Sequence, residues 1–214
     1  SAIEHSSIRK TEKDVTLISV DKNGLIDLDM LKRSITPETT LVSIMLVNNE
    51  IGVIEPIHDI AKIVRDARKS FGGQFPLLHT DACQAVIHLP LYVEKLGVDL
   101  LSLDGHKIYG PRGVGMLYVK RGVMEIDRAG TANVSGIMGF ALALENAERM
   151  REKETIRIAT LKEYFLNELI KINSEIKVNG DLKNSTPHIL NVSIPNIDNE
   201  FFVLQLDAKG IECS

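Results

Sequence analysis

Short apolar runs alternate with amphipathic segments over the first two-thirds of the chain. The run at residues 41–47 is nearly continuous, which is typical of a strand covered on both faces. Apolar residues at helical spacing predict a helix from Ile57 to about Phe71, stopped by Gly72 and Gly73. Further strands are predicted at residues 15–20, 75–79, 98–103 and 115–119, and a short helix, broken near Pro90, at residues 84–96. This order predicts an α/β fold with a mainly parallel sheet covered by helices.

The last third of the chain has a different pattern. Residues 134–169 predict one long helix, and short strands at 176–178 and 189–194 and a helix near 200–206 follow it. We therefore predict a large-domain portion at residues 1–135, a connecting helix at 136–170 and a partial, smaller α+β domain at 171–214. Both ends lack the polar tail typical of a domain boundary, so we expect the chain to be a piece of a longer protein.

The composition excludes several classes of function. Of the 214 residues, 44% are hydrophobic and 25% charged, as in an ordinary globular protein. The net charge of -4 and the lack of a basic block exclude a nucleic-acid partner, and no apolar run or signal-peptide pattern indicates a membrane. Cys83 and Cys213 make no disulfide framework, which favours the cytoplasm, or an organelle matrix in a eukaryote. No His/Cys cluster has metal-ligand spacing, so no metal is expected.

Lys107 is the first candidate for chemistry. It lies beside His106 in a glycine-rich turn, just past the strand predicted at residues 98–103. A lysine held there can lose its proton and form a Schiff base with an aldehyde cofactor, although an ordinary surface turn is the alternative. Asn49 and Asp81 also follow predicted strand ends. Because the carboxyl ends of parallel strands meet at one edge of a sheet, we expect these three residues to converge.

Three motifs then occur in order: Val-Asn-Asn-Glu-Ile-Gly at residues 47–52, His-Thr-Asp-Ala-Cys-Gln at 79–84, and Gly-His-Lys-Ile-Tyr-Gly-Pro at 105–111. With the pair Glu4-His5 and Arg-Ala-Gly-Thr at 128–131, the chain closely resembles the cysteine desulfurases, which are pyridoxal 5'-phosphate (PLP) enzymes of the class V aminotransferase group. The resemblance covers nearly the whole chain. It implies the large domain of PLP fold type I, PLP as the cofactor and L-cysteine as the substrate.

The resemblance implies roles for three residues near the ring of the cofactor. Lys107 would hold PLP and later move protons on the substrate carbon, while Asp81 would face the pyridine nitrogen and keep it protonated. Gln84 would donate a hydrogen bond to the PLP phenolic oxygen. The residues alone leave alternatives open: Asp81 could form an Asx-turn or a helix N-cap, and Gln84 could face solvent from a helix.

Four more residues receive roles from the resemblance. His5 would stack on the cofactor ring and shuttle protons, Asn49 would orient PLP or the substrate carboxylate, and His106 would contact the PLP phosphate. Thr131 would reach the phosphate of the partner subunit's cofactor in a homodimer. The alternatives are a capping or buried structural histidine for His5, a turn or loop residue for Asn49 and His106, and a helix N-cap for Thr131.

Three departures separate the chain from an intact family member. The family's helix start that cradles the phosphate would precede Ser1. The stretch between Arg121 and Arg128 is shorter than the glycine-rich loop usual in the family. Asp104 stands where many members have Ser, and because a carboxylate repels a phosphate at close range, we expect Asp104 to point elsewhere.

The cysteines do not supply the expected nucleophile. Cys213 resembles a position several residues before the family's sulfur-accepting cysteine, so we expect the nucleophile to lie outside these residues. A reactive thiol also needs an exposed, electropositive setting, which the sequence does not show for Cys213. Cys83 is expected to be a small buried residue.

The resemblance implies a cysteine desulfurase that releases sulfur from L-cysteine as an enzyme persulfide, leaves L-alanine, and passes the sulfur to an acceptor or iron–sulfur scaffold protein. A selenocysteine lyase or a class V aminotransferase would share the fold and the cofactor. A non-catalytic fragment or scaffold in a sulfur-transfer complex is the alternative from another class. Without the nucleophile and the phosphate cradle, we expect no turnover from this chain by itself.

Overall fold

The computed structural model describes residues 1–10, 14–126 and 129–214, and the elements below lie within them. The helices are α1 (Ser6–Arg9), α2 (Leu28–Ser34), α3 (Ile57–Phe71), α4 (Val93–Leu96), α5 (Val134–Ile172) and α6 (Asn199–Asp207). The strands are β1 (Leu41–Ser43), β2 (Leu77–Asp81), β3 (Leu100–Asp104), β4 (Gly115–Val119), β5 (Lys177–Asn179) and β6 (Asn191–Ser193). A 3-10 turn, His106–Ile108, follows β3.

The main sheet has the strand order β1-β2-β3-β4. Strands β1, β2 and β3 run parallel, and β4 returns antiparallel to β3. Helix α3 connects β1 to β2 and contacts β2, while β5 and β6 pair antiparallel in a separate small sheet. The predicted mainly parallel sheet flanked by helices is confirmed.

Helix α3 shows how the apolar pattern fixes the packing. Its apolar positions recur every three or four residues, and Ile57, Ile60 and Val64 are almost fully buried in the main core. Gly72 ends the helix in the left-handed conformation, and its N–H donates to carbonyls of the last turn. The helix predicted from the sequence is therefore confirmed with the same bounds.

Several predicted strands are shifted or shortened by one to three residues, and three predicted elements differ more clearly from the structure. Residues 15–20 form no strand; Val20 makes an isolated bridge to Ile26, and the rest of the segment lacks a continuous partner. Strand β1 is shorter than the apolar run at 41–47, although Ile44 and Leu46 still donate backbone hydrogen bonds to β2. Residues 83–89 form turns rather than a helix, and helix α4 begins only after Pro90, which cannot donate to a preceding turn.

The segment before β6 is tied to the hairpin that follows β1. Thr186 is fully buried, and its N–H donates to the Gly52 carbonyl at 2.9 Å. Ile54 N–H donates to Asn184 O at 2.8 Å, and Val53 bridges Ser185. These bonds join the C-terminal part of the chain to the carboxyl edge of the main sheet.

Helix α5 is 39 residues long and includes the predicted connecting helix at 136–170. The division of the chain into a large-domain portion, a connecting helix and a partial small domain stays a prediction. None of the described helices has both the length and the apolar character needed to cross a lipid bilayer.

Glu55 is a buried carboxyl group in the core, with 2% of its surface exposed. Its Oε2 accepts a hydrogen bond from Ile26 N–H at 3.0 Å, but its Oε1 has no partner among the described residues. Burial raises the pKa of Glu55 from 4.5 to about 7, and the nearby Glu4 raises it further, against the lowering effect of the Ile26 N–H. The folded protein therefore binds more protons than the unfolded chain between these two pH values.

The raised pKa predicts that the free energy of unfolding falls as the pH rises from about 4.5 to about 7. Glu55→Gln keeps an oxygen for Ile26 and removes the charge, so it should abolish this fall and stabilise the protein at pH 8 by up to about 3 kcal/mol. Urea unfolding at pH 5 and pH 8 measures the effect. Glu50→Gln, at an exposed position of the neighbouring turn, is the control; equal pH dependence in both variants would contradict the prediction.

Candidate active site

The turn that carries Lys107 is built on two close backbone approaches. Gly105 N–H donates to the Val114 carbonyl at 2.8 Å, and a Cβ on Gly105 would lie 2.7 Å from that oxygen. Gly110 N–H donates to the Gly105 carbonyl at 2.9 Å, where a Cβ would again clash. Ile108 is buried in the core, so the backbone beside it is fixed while the Lys107 side chain is exposed.

Asp81 ends β2, and Asp104 ends β3, the neighbouring parallel strand. In the parallel register Asp81 pairs with Ser102. Asp81 and the turn that carries Lys107 therefore both lie at the carboxyl ends of adjacent parallel strands. Asp81 Oδ1 accepts a hydrogen bond from Cys83 N–H at 3.0 Å, which is the Asx-turn left open by the sequence. A carboxylate has two oxygens and several acceptor sites, so this turn leaves capacity for another donor.

Gln84 lies half-buried in the turns after β2. Its Oε1 is 3.4 Å from His188 Nε2, and the His188 ring stacks on His88 with 4.4 Å between ring centroids. His188 lies 104 residues from Gln84 in the sequence and was not among the predicted site residues. No local pattern could have indicated it, because the contact depends on the packing of the C-terminal segment.

His106 directly precedes Lys107 in the turn after β3, and its side chain is exposed. Its Nδ1 lies 2.7 Å from Asp104 Oδ1, and the same oxygen accepts the His106 backbone N–H at 3.1 Å. Asp104 is therefore directed at His106. This pair was not predicted, although the spacing of two residues is typical of an Asx-turn.

His5 and Asn49 lie in segments that the structure holds together. Glu4 Oε1 accepts a hydrogen bond from Met45 N–H at 2.9 Å, and Asn48 Nδ2 donates to the Ile3 carbonyl at 3.1 Å. The exposed His5 is the N-cap of α1, and its Nδ1 accepts from Ser7 N–H at 3.3 Å. Asn49 is half-buried in a turn that the Asn48 side chain closes. Asn48 Oδ1 accepts hydrogen bonds from the N–H groups of residues 50 and 51.

Thr131 is exposed in the segment before α5. The N-cap of α5 is Asn133, whose side chain accepts a hydrogen bond from Gly136 N–H at 3.1 Å. The N-cap alternative for Thr131 is therefore wrong, because a residue two positions later fills that role. Arg128, the first residue of the Arg-Ala-Gly-Thr motif at 128–131, lies outside the described residues.

His79, which was not among the predicted site residues, lies in β2 two residues before Asp81. Its buried ring bridges three strands: Nδ1 lies 2.8 Å from Ser43 Oγ, and Nε2 lies 3.2 Å from Ser102 Oγ. Burial lowers the pKa of His79, although Asp81 and Glu4 oppose the shift. A neutral imidazole that accepts and donates one bond each fits this position between two hydroxyl groups.

A family model described as "Aminotransferase class-V" matches residues 2–126 and 126–214. The chain belongs to the class-V aminotransferase family. Among its relatives, "Cysteine desulfurase IscS" of Dictyoglomus turgidum is 39% identical over the whole chain and 57% of the relative's length. The protein of the same name from Methanosarcina thermophila is 38% identical over the whole chain and 55% of the relative. The chain thus spans little more than half the length of these curated relatives.

Solved structures agree with the class-V family assignment. A NifS-like protein matches with a TM-score of 0.87 and 32% identity, over the whole chain and 62% of that structure. A NifS-like protein from Rickettsia africae matches with a TM-score of 0.84 and 29% identity, over the whole chain and 62% of that structure. A structure of SspA in complex with cysteine matches with a TM-score of 0.71 and 28% identity, over 98% of the chain and 60% of that structure. The class-V chain therefore has the fold of the NifS-like proteins.

Cys83 lies half-buried beside two carboxylates, with its Sγ 3.9 Å from the Ser102 carbonyl. Burial raises the pKa of the Cys83 thiol far above its usual range, and the Asp81 and Asp104 carboxylates raise it further. A thiol in this setting is a poor nucleophile, because the thiolate is the reactive form. The free Cys213 is exposed.

We predict that iodoacetamide at pH 8 alkylates Cys213 at least about ten times faster than Cys83 in the folded protein, because the Cys83 thiol stays protonated. Peptide mass spectrometry over a time course measures both rates. In denaturant the two rates should become similar, and Cys83→Ser should leave labelling of Cys213 unchanged. Rapid labelling of Cys83 in the folded protein would contradict this.

Proposed function

We propose that the full protein to which this chain belongs is a PLP-dependent cysteine desulfurase that takes sulfur from L-cysteine and leaves L-alanine. The observation that carries the proposal is the position of Lys107 and Asp81 at the carboxyl ends of adjacent parallel strands. Support comes from the relatives named cysteine desulfurase and from the similar SspA structure with bound cysteine. PLP is the cofactor of this family.

The groups at this edge fit the chemistry of PLP. An aldehyde needs an amine, which the exposed Lys107 offers, and a pyridine nitrogen needs a carboxylate, which Asp81 offers at the neighbouring strand end. Gln84 adds an amide N–H donor, and His106 adds an imidazole. No group of three or more potential metal ligands occurs among the described residues.

When bound, PLP supplies an aldehyde for the amine and a ring that takes up electrons from the substrate carbon. Lys107 Nζ would hold the cofactor through its aldehyde and, when released, would move the proton at the substrate Cα. The Asp81 carboxylate would accept a hydrogen bond from the ring nitrogen and keep that nitrogen protonated. The Gln84 amide would donate to the phenolic oxygen.

The remaining candidates have supporting roles in the proposal. His5 would stack on the ring and carry protons, Asn49 would orient the cofactor or the substrate carboxylate, and His106 would bind the phosphate. Thr131 would bind the phosphate of the partner subunit's cofactor in a homodimer. The anchoring of residues 3–4 to residues 45–48 supports a shared location for His5 and Asn49.

We propose that neither cysteine of the chain accepts the sulfur. The raised pKa of Cys83 argues against a nucleophile there. For Cys213 the motif alignment puts the family's nucleophile several residues further on, outside these residues. The chain by itself would then show no turnover, and full activity requires the longer protein.

The proposal for the full protein includes its setting. A homodimer would complete the phosphate site, and a sulfur acceptor or an iron–sulfur scaffold protein would receive the persulfide sulfur. Two free cysteines support a reducing compartment, which is the cytoplasm or an organelle matrix.

Lys107→Ala in the full-length protein should remove the visible absorption band of the bound cofactor and lower alanine formation from L-cysteine by about a hundredfold or more, because no other amine replaces it. Absorption spectra and a coupled assay of alanine and sulfide measure these effects. Alanine with sulfide supports the desulfurase, whereas transfer of the amino group to a keto acid supports a class V aminotransferase.

Lys120→Ala is the matched control for Lys107→Ala. Lys120 is also exposed, but it directly follows β4, and its N–H donates to the Asp99 carbonyl at the opposite end of β3. The control should keep the absorption band and the activity. A Lys107→Ala protein with the wild-type band and rate would overturn the proposed function.

A further inference from the structure

His188 joins two residues of the turn after β2. Its Nε2 is 3.4 Å from Gln84 Oε1, and its ring stacks on His88 with an interplanar angle of 21°. Gln84 and His88 both lie in the turns at residues 83–89, and the side chains of both contact His188.

The His88 ring and the backbone that carries His188 are each held by other elements of the fold. His88 is buried, and its Nδ1 lies 3.2 Å from Thr155 Oγ1 on α5. The backbone that carries His188 is held two residues earlier, where Lys162 Nζ donates to the Thr186 carbonyl at 3.0 Å and Thr186 N–H donates to Gly52. The His188 ring is therefore positioned by α5, the hairpin after β1 and the His88 ring together.

In the structure the carbonyl oxygen of Gln84, rather than its N–H₂ group, faces His188 Nε2. That oxygen carries no hydrogen, so in this arrangement His188 is the tautomer that carries its proton on Nε2 and donates it. In the opposite arrangement, with the amide turned over and the proton on Nδ1, Nε2 would accept from the Gln84 N–H₂ group. Packing of the rings removes water and lowers the pKa of both His188 and His88, so both stacked rings are neutral near pH 7.

We propose that His188 is a positioning residue that binds the carbonyl oxygen of Gln84 and thereby leaves the Gln84 N–H₂ group to donate to the phenolic oxygen of the cofactor. The Gln84 amide nitrogen donates to no group within the described ranges, which leaves both of its hydrogens for a ligand. This inference rests on the proposed function and deepens it. It assigns to the C-terminal segment a part in orienting a group of the main-sheet site.

The test uses the full-length holoprotein and His188→Phe, which keeps a ring against His88 and removes the N–H donor. A donor at the phenolic oxygen draws charge from it and lowers the pH at which the visible band of the bound cofactor changes. His188→Phe should therefore raise this pH midpoint by about half a unit or more and weaken cofactor affinity about 2- to 10-fold, the effect of one hydrogen bond. His188→Gln, which restores an N–H donor, should return both values towards the wild type.

A double-mutant cycle separates positioning from general destabilisation. If His188 acts through Gln84, Gln84→Ala should produce the same shift, and the double variant His188→Phe with Gln84→Ala should show no further shift. His58→Phe, at an exposed histidine on α3, is the control for a ring substitution and should change nothing. If His188→Phe lowers the yield of folded protein, His188→Ala supplies the same loss of the donor without the larger ring.

The outcomes for the inference and for the proposed function are distinct. The inference would be overturned if His188→Phe kept the wild-type pH midpoint and cofactor affinity, or if the shifts in the double variant were additive. In either case, a cofactor band that depends on Lys107 would still uphold the proposed function. A full-length wild-type protein with no Lys107-dependent band would overturn the proposed function and the inference with it.

Discussion

The position of the Asp99 carboxylate determines how the rest of the site is built. Asp99 is 2% exposed, directly precedes β3, and accepts a hydrogen bond from Leu78 N–H of β2 at 2.9 Å. Arg68 of α3 pairs with the same carboxylate and donates to the Pro76 carbonyl. One partly buried ion pair thus joins α3 to the starts of β2 and β3 and holds their register. A slip of one residue would turn every side chain of β2 to the other face, Asp81 included.

The spacing of apolar residues predicted the helices and strands that bury one side in a regular pattern. Helix α3 has an unbroken apolar stripe and a glycine stop, and its bounds agree with the sequence. Strand β4 also has the predicted bounds, but its antiparallel direction could not be predicted, because an apolar run has the same pattern in both directions. Residues 15–20 are rich in strand-forming residues, yet they form no strand because their backbone groups bond singly to separate stretches, as Ala2 to Ile18 and Asp27 to Ser19.

Some features of the candidate site could likewise be predicted from the sequence, and others could not. The strand ends that hold Asp81 and Lys107 could be found from the sequence, because parallel strands bring their carboxyl ends to one edge. The bond between His188 and Gln84 could not, since it joins residues 104 positions apart through side chains alone. His5 has both kinds of role that its sequence left open. It has a proposed catalytic role, and its side chain also caps α1 by accepting a hydrogen bond from a backbone N–H of the first turn.

The pair Asp104 and His106 limits how a phosphate could be bound at this edge. Asp104 Oδ1 faces His106 Nδ1 at 2.7 Å, so Nδ1 carries the proton and Nε2 is the nitrogen left to face a ligand. For Nε2 also to donate to a phosphate, the ring must carry both protons, and its positive charge is then balanced by the Asp104 carboxylate. The pair can orient a phosphate but adds no net charge to attract it. The attraction for a dianion must therefore come from groups other than this pair.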